Sequence, residues 1–299
     1  MRYLLSLLLA FPLAAQTLET EVWLGALERR DGMLVITDLR NISQEPGYDN
    51  QPAFYADGKT LLFASQSAET LDETGMGVHA VRYDPATRTK TPLPEAKGFS
   101  PTPVGDDQLM VLRHGRVFLH DATGKEIRAV TKTDTAGYYT AFDETTWVLF
   151  MNEPERRIAI YDPQTNEQET MATGAISAPF RIPGEHAVTF VAEAPFPATE
   201  GVKGENVLYR LDLTTRKVEA LATIPFETGG THVWTDRGTM LMASGPVIRE
   251  WSPAAPSEWK EVYRATHPAL QALTRIAISP DGSAIALVSA AARETRRKD

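Results

Sequence analysis

The sequence predicts an all-β fold, a six-bladed β-propeller with four-stranded blades whose ring is closed by strands from the two ends of the chain. Three observations lead to this prediction. A hairpin pattern recurs along the chain, an apolar anchor position repeats at a wide spacing, and half of a repeat stands at each end. A wide, regular period is the signature of a repeat architecture, in which neighbouring units bury a shared core.

The recurring hairpin is clearest in residues 51–65 and 276–289. Each segment has a short alternating strand, an Asp-Gly pair (Asp57-Gly58 or Asp281-Gly282) and a second apolar strand. An Asp-Gly pair between two such strands is a strong hairpin signal, because glycine adopts a positive φ without steric cost. We therefore expect Gly58 and Gly282 to have positive φ angles.

Six copies of this unit align on the apolar end of the second strand. Neighbouring anchors scatter about the spacing of roughly 40–45 residues that is typical of a four-stranded propeller blade. Each copy continues with a second hairpin whose turn residues, such as Asp84-Pro85 and Asp162-Pro163, favour a tight reversal. The anchors are Phe63, Leu112, Phe150, Phe190, Met242 and Leu287, and the turns before them hold Asp57, Asp106, Glu144, Gly184, Asp236 and Asp281. Periodicity alone would also describe a pair of β-sandwiches.

The sixth unit is split between the two ends of the chain. Residues 274–289 form its first hairpin, and the strand pair that should follow is found instead at residues 22–27 and 34–39. Joining these halves completes a blade and removes the open edges that a propeller must otherwise protect. The sequence therefore predicts that the two termini close the ring together.

The composition is that of an ordinary globular protein of 299 residues, with 42% hydrophobic residues and a formal net charge of −9. The negative charge disfavours nucleic acid or an anionic membrane as the main partner, because both select basic surfaces. The chain has no cysteine. This excludes disulfides, iron–sulfur clusters, thiolate zinc sites and cysteine nucleophiles.

The first 15 residues have the order of a cleavable signal peptide. Arg2 supplies the positive charge, residues 3–13 are apolar, and Ala14-Ala15 supply small residues for cleavage, which we place after Ala15. The apolar run is shorter than the ~20 residues that span a bilayer, and no second stretch is long enough. We therefore expect a periplasmic or secreted monomer with a propeller at 18–290 and a charged, disordered tail at 291–299. A buried N-terminal helix is the alternative for the first segment.

Two long acidic loops interrupt the repeats, after Ser65 (to Gly77) and after Pro195 (to Gly204). Long loops on a rigid scaffold often bind ligands, although these two can equally be solvated inserts. Their acidic residues are Glu69, Asp72, Glu73, Glu200 and Glu205.

Residues 49–59, Asp-Asn-Gln-Pro-Ala-Phe-Tyr-Ala-Asp-Gly-Lys, resemble the WD40-like repeat of TolB-type propellers, and residues 278–282, Ile-Ser-Pro-Asp-Gly, match the same core. The other four copies are degenerate, and Pro101 and Pro179 keep only the proline of Pro52. The resemblance implies a six-bladed propeller in an exported protein. Because the first repeat follows closely on the leader, the α/β domain that precedes the propeller of TolB is expected to be absent, and with it the N-terminal partner-binding segment.

No catalytic or metal-binding motif emerges from the sequence. None of the six histidines has another histidine three to five residues away, and no Gly-x-Ser-x-Gly or His-Glu-x-x-His occurs. His114 and His120 are six residues apart, and a structural or surface role is expected for both. We predict neither a metal nor a cofactor.

The central channel of a propeller, which the innermost strand of each blade lines, is therefore the candidate ligand site. Its predicted residues are polar or aromatic, which suits a peptide or a small polar ligand. The alternative is that they only satisfy the ends of the inner strands. The predicted residues are Asp49, Asn50, Gln51, Ser100, Tyr138, Tyr139, Ser177, His232 and Arg275 at the mouth, with Arg181 deeper.

The function expected from these observations is a non-catalytic, exported, TolB-like propeller that binds a protein or peptide partner in the cell envelope. The alternatives are a lactonase-like propeller hydrolase or lyase with a metal in its channel, and a purely structural envelope component. A metal site would need several carboxylate, His or Asn side chains to converge in the channel, and the sequence offers only Asp49, Asn50 and His232. The sequence does not identify the partner.

Overall fold

A computed structural model describes residues 19–66, 77–193 and 205–290. Within these ranges the regular structure consists of β-strands and one short 3-10 turn, Pro268–Leu270, with no α-helix. The predicted all-β class is therefore confirmed. The predicted signal peptide, the charged tail at 291–299 and most of both acidic loops, with Glu69, Asp72, Glu73 and Glu200, lie outside the described residues. No helix in the described ranges is long and apolar enough to cross a membrane.

The strands follow the predicted repeat. At the N-terminal end stand β1 (Thr20–Arg30) and β2 (Met33–Asn41). Next come β3 (Tyr48–Phe54), β4 (Leu61–Gln66), β5 (His79–Asp84) and β6 (Thr89–Lys97). Then follow β7 (Phe99–Val104), β8 (Gln108–Arg113), β9 (Arg116–Asp121) and β10 (Glu126–Ala129). The third set is β11 (Ala136–Ala141), β12 (Trp147–Met151), β13 (Arg157–Tyr161) and β14 (Gln168–Thr173).

The C-terminal half continues in the same way. The fourth set is β15 (Phe180–Arg181), β16 (Ala187–Glu193), β17 (Asn206–Asp212) and β18 (Val218–Thr223). The fifth is β19 (His232–Trp234), β20 (Met240–Ser244), β21 (Val247–Ser252) and β22 (Ala255–Arg264). The last strands are β23 (Leu273–Ile278) and β24 (Ala284–Ala290).

Four sets of four strands form separate antiparallel sheets: β7–β10, β11–β14, β15–β18 and β19–β22. The remaining eight strands form one sheet. In it β3–β6 pair in chain order, while β23, β24, β1 and β2 pair in that order. Among the described residues, the strand pairing between these two groups is the parallel pair Thr20↔Tyr48.

The N- and C-terminal strands pair with each other over a long register. β1 runs antiparallel to β24, from the pair Thr20↔Ala290 to the pair Ala26↔Ala284. The predicted split unit, one hairpin from the C-terminal end and one from the N-terminal end, is thus observed as a continuous antiparallel arrangement of four strands.

The second strand of each unit is its most buried element. β4 and β12 are buried along their whole length, and all six anchor residues, Phe63, Leu112, Phe150, Phe190, Met242 and Leu287, are buried in second strands. Both faces of these strands are covered by neighbouring sheets, which explains their continuous apolar sequence. By contrast, all four residues of the outer strand β10 are exposed.

The hydrophobic core is divided into clusters that lie between sheets. One cluster packs Leu62 and Ala80 against Leu109 and Val111, from the neighbouring β7–β10 sheet. Equivalent clusters join each later sheet to the next, and one joins β19–β22 to β23, β24 and β2. A last cluster joins β1 and β24 to β4 and β5. Each of these clusters therefore lies between two neighbouring groups of strands.

The two Asp-Gly turns adopt the predicted backbone. Gly58 has φ +68° and Gly282 has φ +71°. The Asp57 carboxylate accepts hydrogen bonds from the backbone N–H groups of Lys59 and Thr60, which fixes the turn. A Cβ added at Gly58 would lie 3.2 Å from the Asp281 carboxylate, so the turns of two neighbouring units are in contact.

Candidate functional site

Residues from or beside the first strand of each of the four separate sheets, and from β3 and β23, line a central cavity of about 320 Å³. β3, β7, β11 and β23 contribute directly to its wall, and the segments around β15 and before β19 complete it. The lining residues are Gln51, Pro52, Ala53, Ser100, Pro101, Thr102, Tyr138, Tyr139, Thr140, Ala178, Pro179, Phe180, Arg181, Thr231, Arg275 and Ile276.

Six of the ten predicted site residues line this cavity and four do not. Gln51, Ser100, Tyr138, Tyr139, Arg181 and Arg275 are brought together. Asp49, Asn50, Ser177 and His232 are buried in the walls behind it. The inner strands therefore supply the cavity, although not every residue on them faces it.

Arg275 is held by a tyrosine from a distant part of the chain. Its Nη2 donates a hydrogen bond to the Tyr138 hydroxyl over 2.6 Å, and its guanidinium lies 5.3 Å from the centre of the Tyr138 ring. Arg181 lies over another aromatic ring that follows the same strand, 4.2 Å from the centre of Phe142. Both guanidinium groups thus pack against aromatic rings in or just after β11.

Gln51 and Ser100 form a strained, hydrogen-bonded pair in the cavity wall. Both have left-handed backbones, with φ +57° and φ +51°, although neither is glycine. The Gln51 side-chain oxygen accepts a hydrogen bond of 2.6 Å from the Ser100 backbone N–H. A β-bulge falls at each position, between Asn50 and Ala53 and between Phe99 and Thr102. Bulges re-aim side chains, and here they turn both residues toward the cavity.

The Tyr139 hydroxyl is anchored rather than free. It lies 2.9 Å from the Ser100 carbonyl oxygen and 3.0 Å from the Thr102 hydroxyl, while its ring stacks on Trp147 at a centroid distance of 5.8 Å. Burial raises the pKa of this phenol. Tyr139 therefore stays neutral and helps to fix the wall.

His232 belongs to a closed hydrogen-bond chain. Its Nδ1 is 2.8 Å from the Gly230 carbonyl, which can only accept, so Nδ1 carries the proton. Nε2 must then accept from the Thr189 hydroxyl at 2.8 Å, and that hydroxyl accepts from the Trp234 indole N–H at 2.8 Å. Burial lowers the pKa of His232 to about 4. The imidazole is thus neutral and fully bonded, and it packs 4.3 Å from the Phe180 ring.

Asp49 is the most perturbed carboxylate of the inner strands. It is 1% exposed, and burial raises its pKa to about 7. A hydrogen bond with Ser65 opposes this shift, while one carboxylate oxygen, Oδ2, has no partner among the described residues.

The side chains of Asn50 and Ser177 also accept hydrogen bonds from backbone N–H groups inside the protein. The Asn50 side-chain oxygen accepts from the Gln51 N–H at 2.8 Å, and the Ser177 hydroxyl accepts from the Val191 N–H at 2.8 Å.

Several lining residues were not predicted, notably Thr102, Thr140, Pro179, Phe180 and Thr231. Thr102 and Thr140 follow predicted residues within the same strands, so the repeat alignment is the sequence signal that could have found them. The alignment does not locate the β-bulges, and the bulges decide which of two neighbouring side chains faces the cavity.

The charged groups of the cavity are all hydrogen-bond donors. None of its lining residues is Asp, Glu or His, and its charged groups are Arg181 and Arg275. Within the described part of the chain no three His, Asp or Glu residues form a group that could hold a metal ion. A larger cleft of about 560 Å³ lies between the β7–β10 and β11–β14 sheets, but none of the predicted site residues lines it.

Comparisons with known proteins identify the class of fold. No protein-family model and no curated protein matches the sequence. Among solved structures, the chain is similar to a putative TolB from Agrobacterium tumefaciens, with a TM-score of 0.58, 14% identity, and coverage of 91% of this chain and 98% of that one. It is also similar to a chain of a nidogen/laminin complex, with a TM-score of 0.55, 9% identity, and coverage of 90% and 98%. A gluconolactonase from Xanthomonas campestris gives a TM-score of 0.54, 10% identity, and coverage of 83% and 87%.

At these identities the likeness is one of fold, and the fold is a β-propeller. The resemblance to TolB-like propellers predicted from the repeat sequence is confirmed at this level.

Proposed function

We propose that this protein is an exported, six-bladed, TolB-like propeller that binds a protein or peptide partner at its central cavity without catalysis. The observation that carries the proposal is that six sets of strands each contribute residues from or beside an inner strand to one cavity, whose charged groups, Arg181 and Arg275, are hydrogen-bond donors. Aromatic and arginine side chains supply much of the energy at binding hot spots, and Tyr138 and Arg275 meet in this cavity.

Six blades in a closed ring are supported by two features of the fold. The β1–β24 pairing completes a sixth set of four strands, and the hydrophobic clusters link each set to two neighbours. In this arrangement β1 and β2 are the outer half of the last blade, and the open edges of β24 and β1 are removed.

Export is supported by the charged, apolar and small-residue order of the first 15 residues. The intact mass of the protein recovered from a periplasmic fraction is expected to lack residues 1–15. Recovery of the full-length chain from the cytoplasm would refute this part of the proposal.

The binding function can be tested by filling the cavity. Peptides selected from a random library on the wild-type protein are measured against Ala53→Trp, which places an indole in the cavity wall. We expect these peptides to bind Ala53→Trp at least about tenfold more weakly, since the large side chain occupies their volume. The control Ala86→Trp places the same side chain in an exposed outer turn and should not change affinity. Equal binding to both variants would show that the cavity is not the binding site.

The similarity to a gluconolactonase supports one alternative function, a lactonase-like hydrolase or lyase with a metal in its channel. Metal analysis of the purified protein and turnover of a lactone panel test this alternative directly. A stoichiometric metal, with lactone turnover that is lost when the metal is removed by a chelator and recovered when it is added back, would replace the binding function. Binding of the selected peptides without lactone turnover would leave it in place.

A further inference from the structure

The central cavity has positive charge without a built-in counter-ion. Arg181 and Arg275 are its charged residues, although the whole chain has a formal net charge of −9. In the described ranges neither guanidinium forms an ion pair, whereas Arg29, Arg113 and Arg210, outside the cavity, all do. The two cavity arginines therefore keep their charge available to a ligand.

The Tyr138 contact positions Arg275 without neutralising it. One N–H of the guanidinium is used by the tyrosine hydroxyl, which is a neutral acceptor. The guanidinium presents five N–H donors in a planar fork, and this fork matches the two oxygens of a carboxylate. The ring of Tyr138 and the hydrogen bond hold the fork in place before a ligand arrives, which reduces the entropy lost on binding.

Two neutral residues of the cavity, Ser100 and Gln51, add hydrogen-bond donors to the two arginines. The Ser100 hydroxyl oxygen is buried and has no hydrogen-bond partner in the described residues. The Gln51 side chain uses its oxygen to hold the Ser100 backbone, while its amide nitrogen makes no hydrogen bond with the described residues. Buried polar groups without partners are uncommon and call for an explanation, and an acceptor on a ligand supplies one here.

Gln51 and Ser100 are two of the nine non-glycine residues with positive φ in the described ranges, and they are the two that line the cavity. Non-glycine residues with positive φ cost energy and tend to be retained at ligand sites. The φ angles of Gln51 and Ser100 are both in this region, and the two are linked by a 2.6 Å hydrogen bond.

The remaining walls are apolar and fit the hydrocarbon parts of a peptide. Pro52, Pro101, Pro179, Phe180 and Ile276 line the cavity beside the donors. The volume of about 320 Å³ is at the small end of the range of roughly 300–1,000 Å³ for ligand pockets, so it suits the end of a chain better than a long segment.

We propose that the central cavity captures the carboxylate group of an acidic peptide end, with Arg275 and Arg181 as charged partners and Gln51 and Ser100 as neutral donors. This inference rests on the proposed binding function and adds the chemical class of the ligand.

The test uses a fluorescent hexapeptide array in which each sequence is made twice. One version ends in Asp or Glu with a free carboxylate, and the other ends in Asn or Gln with a carboxamide. We expect the best acidic peptides to bind at least about tenfold more tightly than their amide twins at low salt. The preference should fall as ionic strength rises.

Matched variants show which residues cause the preference for acidic peptides. Arg275→Gln combined with Arg181→Gln should abolish the preference for the acidic version, and Arg275→Lys should retain part of it, because the charge remains while the fork is lost. Arg116→Gln removes an exposed arginine outside the cavity and should leave the preference unchanged. Circular dichroism and thermal unfolding of each variant confirm that the fold is intact.

The outcomes separate this inference from the proposed function. If acidic and amide peptides bind equally and Ala53→Trp blocks both, the cavity binds peptides and the carboxylate inference is wrong. If no peptide binds, both proposals fail. If inorganic phosphate displaces the acidic peptides at equal concentration, the cavity binds any oxyanion and the assignment to a peptide carboxylate is overturned.

Discussion

Arg275 and Tyr138 are 137 residues apart in the sequence, and the Arg275 guanidinium donates a 2.6 Å hydrogen bond to the Tyr138 hydroxyl inside the central cavity. The two residues belong to β23 and β11, which are in different sheets and share none of the hydrophobic clusters. The contact therefore joins parts of the ring that the cores between neighbouring sheets do not connect.

Tyr138→Phe is expected to destabilise the protein by about 1–2 kcal/mol, because it removes a hydrogen bond to a charged group that is partly screened by solvent. Equilibrium urea unfolding measures the change. Tyr263→Phe is the control, since the Tyr263 hydroxyl makes no hydrogen bond with the described residues, and it should change stability by less than about 0.5 kcal/mol. Equal effects of the two substitutions would contradict the role of the Arg275 contact.

Asp49→Asn is expected to stabilise the protein at pH 8 and to have little effect near pH 4. Burial raises the folded-state pKa from 3.8 to about 7, with Glu21 and Glu45 adding to the shift and Ser65 and Lys90 opposing it. The unfolded chain therefore releases the proton first as pH rises. The contribution of protonated Asp49 to the free energy of unfolding is fully present below about pH 4. As pH rises to about 7, this contribution is lost, and the free energy of unfolding falls by up to about 4 kcal/mol.

Urea unfolding of the wild type and of Asp49→Asn at several pH values measures this dependence. Asp281→Asn provides a control of opposite sign, because hydrogen bonds from Ser279 and Ser283 lower the pKa of Asp281 to about 2. That substitution should destabilise the protein at pH 8. A wild-type stability that does not fall between pH 4 and pH 7 relative to Asp49→Asn would refute the buried, protonated state of Asp49.

Thr189→Val is expected to cost about 2–4 kcal/mol, because it leaves both the Trp234 indole N–H and His232 Nε2 buried without a partner. Thr189→Ser keeps the hydroxyl and removes one methyl group, for which a loss of about 1 kcal/mol is expected. Thermal and urea unfolding compare the two. If serine were as destabilising as valine, the hydrogen-bond chain would not be the source of the effect.

Ring closure can be tested with cysteines, since the natural chain has none. Ala26 and Ala284 are directly paired across β1 and β24, so Ala26→Cys with Ala284→Cys should oxidise to a disulfide and stabilise the protein by up to about 4 kcal/mol. Ala290 pairs with Thr20 instead, so Ala26→Cys with Ala290→Cys should stay reduced. Intact mass under non-reducing conditions distinguishes them. A disulfide in the second pair alone, or in neither, would contradict the register and the proposed closure.

The repeat and its hairpins could be predicted because each depends on local pattern, and the pairing of the two ends could be predicted because each end carries half of a repeat. Phe63 and Leu287 anchor strands that are mostly apolar and buried, and Gly58 and Gly282 mark turns that need a positive φ. These signals are present in short windows of sequence and do not depend on the rest of the fold.

The direction of individual inner-strand side chains could not be predicted in the same way. His232 and Asp49 lie on inner strands as expected, yet both are buried in the walls, while Gln51 and Ser100 face the cavity. A one-residue change of register moves a side chain to the opposite face, and the bulges at Gln51 and Ser100 have no glycine to mark them. The contact of Arg275 with Tyr138 depends on the placement of two distant strands, which no local pattern encodes.

The register of β1 against β24 also determines how the molecule responds to force. Thr20 and Ala290 are partners, so the first residue of β1 and the last residue of β24 lie side by side at the same end of the strand pair. A force that pulls these two residues apart breaks the hydrogen bonds between β1 and β24 one after another, instead of loading all of them at once in shear. A force between these two residues would therefore open the strand pair first at Thr20 and Ala290 and would reach the pair Ala26 and Ala284 last.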